Sequence, residues 1–506
     1  MSSIPRPLTD APSNFRSHRI LNFIGGSFAP PVRDEYLDNY CPATGLPYCV
    51  IANSTNEDVD KAVDAAALAF PSWSALSTEV RADYLMKIAA GIAARIDEFA
   101  AAESYDQGKP LWLARSVDIP RAIENFRFFA GRILHHEDAF THFDRAGAES
   151  FNMTLREPFG AVGLISPWNL PLYLLSWKIA PAIACGNTCV AKPSELTPLT
   201  ATLLAEVIQN VALPPGVVNI VHGEGARCGQ RIVEHPLLRL LSFTGGTVTG
   251  RRVASTAAPM FKKVSLELGG KNATIVFSDC DFDATVQGVV RASFANQGEV
   301  CLCGSRILVE RDIYDRFVAA VAKAAAANGR FSSDPRSAVD AAHCPTGALI
   351  SRQHLEKIRG YVALAREEGG HILCGGASPE IDAPHLRSGY FYPPTIISGL
   401  PPAARCNQEE IFGPVVTIAP FDSETEAIHV ANGVPYGLSC SIWTSNIFRG
   451  NRVARKVHVG YVWLNCWLVR DLRMPFGGQK ASGLGREGGS HSLDFYTDLK
   501  TICSKL

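Results

Sequence analysis

The 506-residue chain predicts an α/β protein with two parallel, doubly wound sheet domains and a small additional β element. Three observations carry this expectation. From about residue 160, short apolar runs that each end at Gly or Pro alternate with helical segments, the βαβ grammar of a parallel sheet covered on both faces. A second such series follows Cys301 (SRILVE, YDRFVAAVAKAAAA, AIHVANGVPYGLSCSIWT). The length is also several times that of a usual domain, so two or three domains are the prior.

Taken in order, about twenty polar, proline-bearing residues precede LNFIGGSF, which reads as strand–turn–strand. Val80, Tyr84, Leu85, Ile88, Ile92, Ile96 and Phe99 fall at helical spacing and predict one long amphipathic helix over 77–107. IPRAIENFRFFAGRIL predicts a helix over 119–134 with Pro120 in its first turn. A β-hairpin is expected near 138–160, and with the C-terminal strand it should form an oligomerisation element, because FNMTLREPFGAV would otherwise be an exposed edge. GAVGLISP, GNTCVAKP, VVNIVHG and LRLLSFTGG then read as strands, with TPLTATLLAEVIQNV and TVTGRRVASTAA as helices among them.

Composition excludes several classes of function. Lys+Arg at 48 against Asp+Glu at 49 leaves a net charge of −1, without the basic excess that nucleic acid or an anionic membrane surface selects. The N-terminus has no apolar signal core. The most apolar stretch (161–191) carries Pro167, Pro171, Pro181 and Lys178, which point to buried core rather than a membrane span. Fourteen cysteines are scattered singly with no Cys-x-x-Cys pair, so a reducing compartment is expected. The terminal Ser504-Lys505-Leu506 matches the tripeptide read by the peroxisomal import receptor. That predicts a peroxisomal location in a eukaryotic source and a cytoplasmic one otherwise.

In a parallel sheet, ligands bind at the C-terminal strand ends, where helix N-termini offer free N–H groups to anions. FTGGTVTG (243–250) is such an end and suits a pyrophosphate, although it is not the G-x-G-x-x-G fingerprint. CVAKPSE puts Lys192 and Glu195 past another strand, where a carboxylate can accept from ribose hydroxyls. Cys301 and Cys303 in FANQGEVCLCGSR allow three readings: half of a metal site, a redox pair, or a nucleophile with a bystander. No His or Cys cluster completes a metal site, so none is expected. A nucleophile needs a base and oxyanion donors. Glu267, between leucines in LELGGKN, and the Asn169 amide in SPWNLP supply those residue types.

Glu267 in LELGGKN and Cys301 in FANQGEVC resemble the two active-site signatures of the aldehyde dehydrogenase superfamily, at that family's usual spacing. SPWNLP, AKPSE, FTGG, EEIFGP and PFGGQKASGLGRE follow in the family's order, so the resemblance runs from Leu21 to the C-terminus. It implies a Rossmann-type NAD-binding domain (1–137 and 161–267), an α/β catalytic domain (268–486) and a β oligomerisation element (138–160 and 487–506). It also implies a homodimer or homotetramer. Cys301 would be the nucleophile and Cys303 the bystander, with Asn169 as oxyanion donor and Glu267 as the base that hydrolyses the thioester. Acylating relatives typically lack that glutamate, which points to the hydrolytic branch. Trp168, Lys192, Glu195, Gly245, Glu410 and Phe412 would hold NAD. The family commonly has Ser where this chain has Gly246, which leaves one phosphate contact in question.

WLNCWLVRDLRMPFGG, IPRAIENFRFFAGR and VCLC further resemble the branch that oxidises 2-aminomuconic and 2-hydroxymuconic semialdehydes. There two arginines, matching Arg121 and Arg470, clamp the substrate's carboxylate and its enol or amino group, the carboxylate through paired, charge-assisted hydrogen bonds. The bland readings are a solvated helix residue for Arg121 and an ion pair with Asp471 for Arg470. Two other functions compete: oxidation of an apolar aldehyde (retinal, fatty or terpenoid), and a non-enzymatic relative, against which the intact Cys301, Glu267 and Asn169 weigh.

Overall fold

The computed structural model describes residues 19–506 apart from 146, 330, 332 and 343. The N-terminal stretch read above as lacking a signal core lies outside the described residues. Among the described residues, two large sheets divide the chain. The first has eight strands and runs parallel through its centre, with Lys263–Glu267, Leu240–Thr244, Ala161–Ile165, Thr188–Lys192 and Val218–Ile220 side by side. These runs are apolar on both faces because helices cover both, so nearly every residue in them is buried. The second sheet has seven strands, with Arg306–Glu310 and Ala273–Val276 at its centre. A third, three-stranded sheet joins the hairpin Phe140–Arg145 and Ala148–Pro158 to the C-terminal strand Thr497–Lys505.

The helix expected over 77–107 is two helices, Thr78–Ala94 and Ile96–Gln107. At Arg95 the backbone leaves helical geometry (φ −120°, ψ 26°), and its guanidinium bonds Glu98 at 2.7 Å and Glu206 at 2.6 Å. The apolar spacing runs on through this corner, so periodicity alone cannot reveal it. The helix Ile119–Leu134 matches its expected bounds, with Pro120 in the first turn. Asn56–Ser74 is a further helix, opened by a capping box between Thr55 and Asp58.

The chain crosses between the sheets near the site. Glu267 ends the last parallel strand of the first sheet, and Ala273 begins the second sheet six residues later. Far along the chain, Gly483–Leu484 returns to pair antiparallel with Lys263–Glu267, setting Gly483 opposite Glu267. Only glycine fits there: φ is +146° and a Cβ would lie 2.0 Å from the Leu266 carbonyl oxygen. Among the described residues, no helix is long and apolar enough to cross a membrane.

Candidate active site

Cys301 is presented by a strained loop. After the helix Phe282–Phe294, Asn296, Gln297 and Gly298 are all left-handed, with φ of 51°, 57° and 72°. Two consecutive non-glycine residues in this region are costly and persist only where surroundings fix them. Gln297 accepts from the Gly347 N–H at 3.2 Å and donates to the Ala348 carbonyl at 3.2 Å. Asn296 donates to the Asn169 carbonyl at 3.1 Å. At Gly298 a Cβ would sit 2.2 Å from the Gly413 carbonyl oxygen, so the loop is pressed against its neighbour backbone to backbone. Glu299, fully buried, accepts from Gln107 Nε2 at 2.7 Å and the Ile350 N–H at 3.0 Å, which pins the segment leading to Cys301.

Asn169 lies between the strand Ala161–Ile165 and the helix Pro171–Ala184. One N–H of its amide donates to the Glu299 carbonyl at 2.9 Å, which orients the group and leaves the second N–H free. Lys109 Nζ donates to the Asn169 carbonyl at 3.3 Å and is ion-paired with Glu103 and Asp118 in a fully buried cluster. Among the described residues, no group accepts from the Cys301 backbone N–H. Two donors near the sulfur are therefore available to a developing oxyanion.

Glu267 is 6% exposed, and its Oε1 has no hydrogen-bond partner. Burial, then the negative charge of Glu487, hold its carboxyl well above the usual carboxylate range, against the opposing cations Lys178 and Arg470. The Cys301 thiol is likewise raised by burial, then by the charges of Glu267 and Glu410. Both shifts favour the protonated forms of thiol and carboxyl in the resting site. Lys178 and Glu487 form a buried pair behind Glu267, at 3.6 Å. Lys178 also bonds Ser242 Oγ at 2.7 Å, and Glu487 takes the Trp177 indole N–H at 2.7 Å. A lysine inside an apolar run is the one mark that this pair leaves in the sequence. Cys303 is buried, its thiol pushed up to about 12 by desolvation, and it packs with Trp467 and Phe476.

One cavity of about 220 Å³ brings together Trp168, Asn169, Gly245, Glu267, Cys301, Glu410 and Phe412. The Trp168 ring stands edge-on to Phe412 at 5.3 Å and to His354 at 5.4 Å. The Glu410 carboxylate accepts from the Gly270 N–H at 2.8 Å. Gly246 begins the helix Thr247–Ala257 with no side-chain cap, and a Cβ there would meet nothing within 4 Å. Free helix N–H groups beside open space suit a pyrophosphate. Lys192 and Glu195 do not line this cavity; they pair at 3.0 Å, and Glu195 accepts from the Gly225 N–H at 3.4 Å. The donor set fits a dinucleotide laid along these strand ends.

Arg121 and Arg470 also lie outside that cavity, and both meet Tyr173. Arg470 Nη1 donates to the Tyr173 hydroxyl at 3.0 Å, and its guanidinium stacks 3.8 Å over the Phe476 ring. Asp471 pairs with Arg473 at 2.6 Å, so it is not the partner of Arg470. Arg121 has a one-fifth exposed side chain 3.5 Å from Glu124, with its guanidinium 5.8 Å from the Tyr173 ring centre. Among the described residues, no group of three or more His, Cys, Asp or Glu side chains could hold a metal ion.

The model of the aldehyde dehydrogenase family matches residues 29–502, and this chain belongs to that family. It is 49% identical to the 2-aminomuconic semialdehyde dehydrogenase of Bos taurus over 486 residues, 96% of this chain and 98% of that one. The 2-hydroxymuconic semialdehyde dehydrogenase of Pseudomonas sp. (strain CF600) is 46% identical over 490 residues, 96% and 99% of the two chains. The NAD+ complex of an aldehyde dehydrogenase from Bacillus cereus superposes with a TM-score of 0.91 at 36% identity, covering 96% of this chain and 97% of that one.

Proposed function

We propose that this enzyme oxidises a carboxylate-bearing semialdehyde, of the 2-aminomuconic or 2-hydroxymuconic type, to the carboxylic acid with NAD. The observation that carries the substrate class is the partly buried Arg470, whose side chain, among the described residues, makes one hydrogen bond and no ion pair. A guanidinium held this way near a reaction centre favours an anionic ligand. An apolar-aldehyde reading leaves Arg470 without an ionic partner, whereas Arg121 already has Glu124 at 3.5 Å.

In this reading Cys301 Sγ adds to the aldehyde carbon, its proton leaving to a nearby base. Asn169 Nδ2 and the Cys301 N–H hold the resulting oxyanion. The oxyanion then collapses to the Cys301 thioester as that carbon loses its hydride, for which bound NAD would supply the acceptor. Glu267 takes a proton from the water that attacks the thioester, and Cys301 leaves as the acid departs. Trp168, Gly245, Glu410 and Phe412 would line the cofactor cavity, and Lys192 and Glu195 would take the adenine ribose. Glu195 disfavours a 2′-phosphate. Screening NADH production across charged and uncharged aldehydes tests the proposal; equal rates on both classes would refute the substrate class.

We further propose the domain division 1–137 with 161–267, 268–486, and 138–160 with 487–506, supported by the membership of the three sheets; Gly483–Leu484 is the exception, joining the first sheet. The third sheet exposes Phe140, Phe143, Phe151, Met153, Leu499 and Ile502. An apolar, open-edged sheet of this kind supports a homodimer or homotetramer, and a stable monomer in sedimentation would refute it. In a eukaryotic source we propose peroxisomal import through Ser504-Lys505-Leu506. Ser504 and Lys505 lie in the ladder with Phe151 and Ser150, so a receptor must capture the tail before this strand pairs or peel it away. A diffuse distribution of the intact protein would refute import.

A further inference from the structure

We propose that Tyr173 is a specificity-determining positioning residue that joins Arg121 and Arg470 into one carboxylate receptor; this rests on the substrate class proposed above. Tyr173 stands in the first turn of the helix Pro171–Ala184, four residues after Asn169. Its backbone is anchored, the carbonyl accepting from Asn125 Nδ2 at 3.1 Å and from Ser176 Oγ at 2.9 Å. The side chain therefore projects from a fixed base, beside Leu174, which lines the catalytic cavity.

Each part of Tyr173 engages a different arginine. The hydroxyl oxygen accepts from Arg470 Nη1 at 3.0 Å, and the ring lies 5.8 Å from the Arg121 guanidinium carbon. Arg470 is held from its flat face as well, 3.8 Å over Phe476 and 5.8 Å from the Trp177 ring. A guanidinium fixed on one face and by one N–H has its orientation set, and the rest of its five donors stay unspent. The Tyr173 O–H proton also has no acceptor among the described residues. A carboxylate, which only accepts, matches this surplus of donors. An uncharged aldehyde tail cannot use it. If Tyr173 only filled space, phenylalanine would serve equally well.

The experiment measures kcat/KM of the NAD holoenzyme for 2-hydroxymuconic semialdehyde and for hexanal on the same preparation. The ratio of the two is independent of the fraction of protein that is folded. Tyr173→Phe should lower the ratio on the order of tenfold, the scale of a hydrogen bond to a charged group. In an Arg470→Ala background the same substitution should lower it by less than about twofold, because the bonded partner is gone. Tyr173→Leu, which also removes the ring face under Arg121, should lower the ratio further than Tyr173→Phe. An unchanged ratio in Tyr173→Phe, with a ratio that does fall in Arg470→Ala, overturns the role of Tyr173 alone. An unchanged ratio in Arg470→Ala overturns the carboxylate reading and this inference with it.

Discussion

Replacing Glu267 by glutamine keeps the shape of the side chain but removes its ability to take a proton. The native carboxyl is 6% exposed, with Oε1 unpartnered, so the variant fits without displacing a hydrogen bond to that oxygen. Thiol addition and hydride loss do not need water activated at this position, whereas thioester hydrolysis does. General-base assistance accounts for about 10²–10⁴ in rate, so turnover should fall at least about a hundredfold, or about 3 kcal/mol in barrier. Stopped-flow absorbance with aldehyde and NAD in excess over active sites should then show a burst of NADH near one per active site, followed by a slow phase. The pH dependence has a definite sign. Burial and the Glu487 charge raise the carboxyl, so it is protonated below its raised pKa and becomes a base only as pH climbs through it. Wild-type hydrolysis should therefore increase as pH climbs through that raised value, and the variant should lose that limb. An unchanged steady-state rate, or a first turnover slowed as much as later ones, would show that the base lies elsewhere.

Cys301→Ser should abolish oxidation while leaving NAD binding measurable by calorimetry, and Cys303→Ser should retain most activity; the reverse pattern would exchange their roles. Asn169→Ala should reduce kcat on the order of a hundredfold, the scale of losing one oxyanion donor, and a mild effect would leave that task to the Cys301 N–H. Gly246→Ser has open space for its side chain and can cap the helix Thr247–Ala257. It should preserve the melting temperature and lower KM for NAD, and a raised KM would place the pyrophosphate elsewhere.

Much of the scaffold was legible because it is written locally. The alternating apolar runs report parallel strands wherever both faces are covered, and Glu267 and Cys301 stand in short signatures. The corner at Arg95 was not legible, because its apolar spacing continues unbroken and the partner that ties it down, Glu206, is 111 positions away. The supports of the site escape for the same reason. Trp177 and Glu487 meet across 310 positions, and Tyr173 and Arg470 across 297. Nothing beside Tyr173 in the sequence announces an arginine. The bland reading of Arg470 as the partner of Asp471 fails on a local preference: Asp471 turns towards Arg473, to which it bonds through both backbone and side chain.

The contact between Gly298 and Gly413 also bears on how such a site keeps its spacing. A side-chain carbon at 298 would fall 2.2 Å from the Gly413 carbonyl oxygen, and one at 413 would fall 2.4 Å from Ile358 Cδ1. A methyl group at 298 would need the backbone at 413 to retreat, whereas one at 413 would need only the tip of Ile358 to turn aside. The loop bearing Cys301 and the loop bearing Glu410 and Phe412 can change their spacing only by a concerted step. The gap between the sulfur-bearing loop and the loop that lines the cavity is thus set at Gly298 by main chain against main chain, not by any side chain.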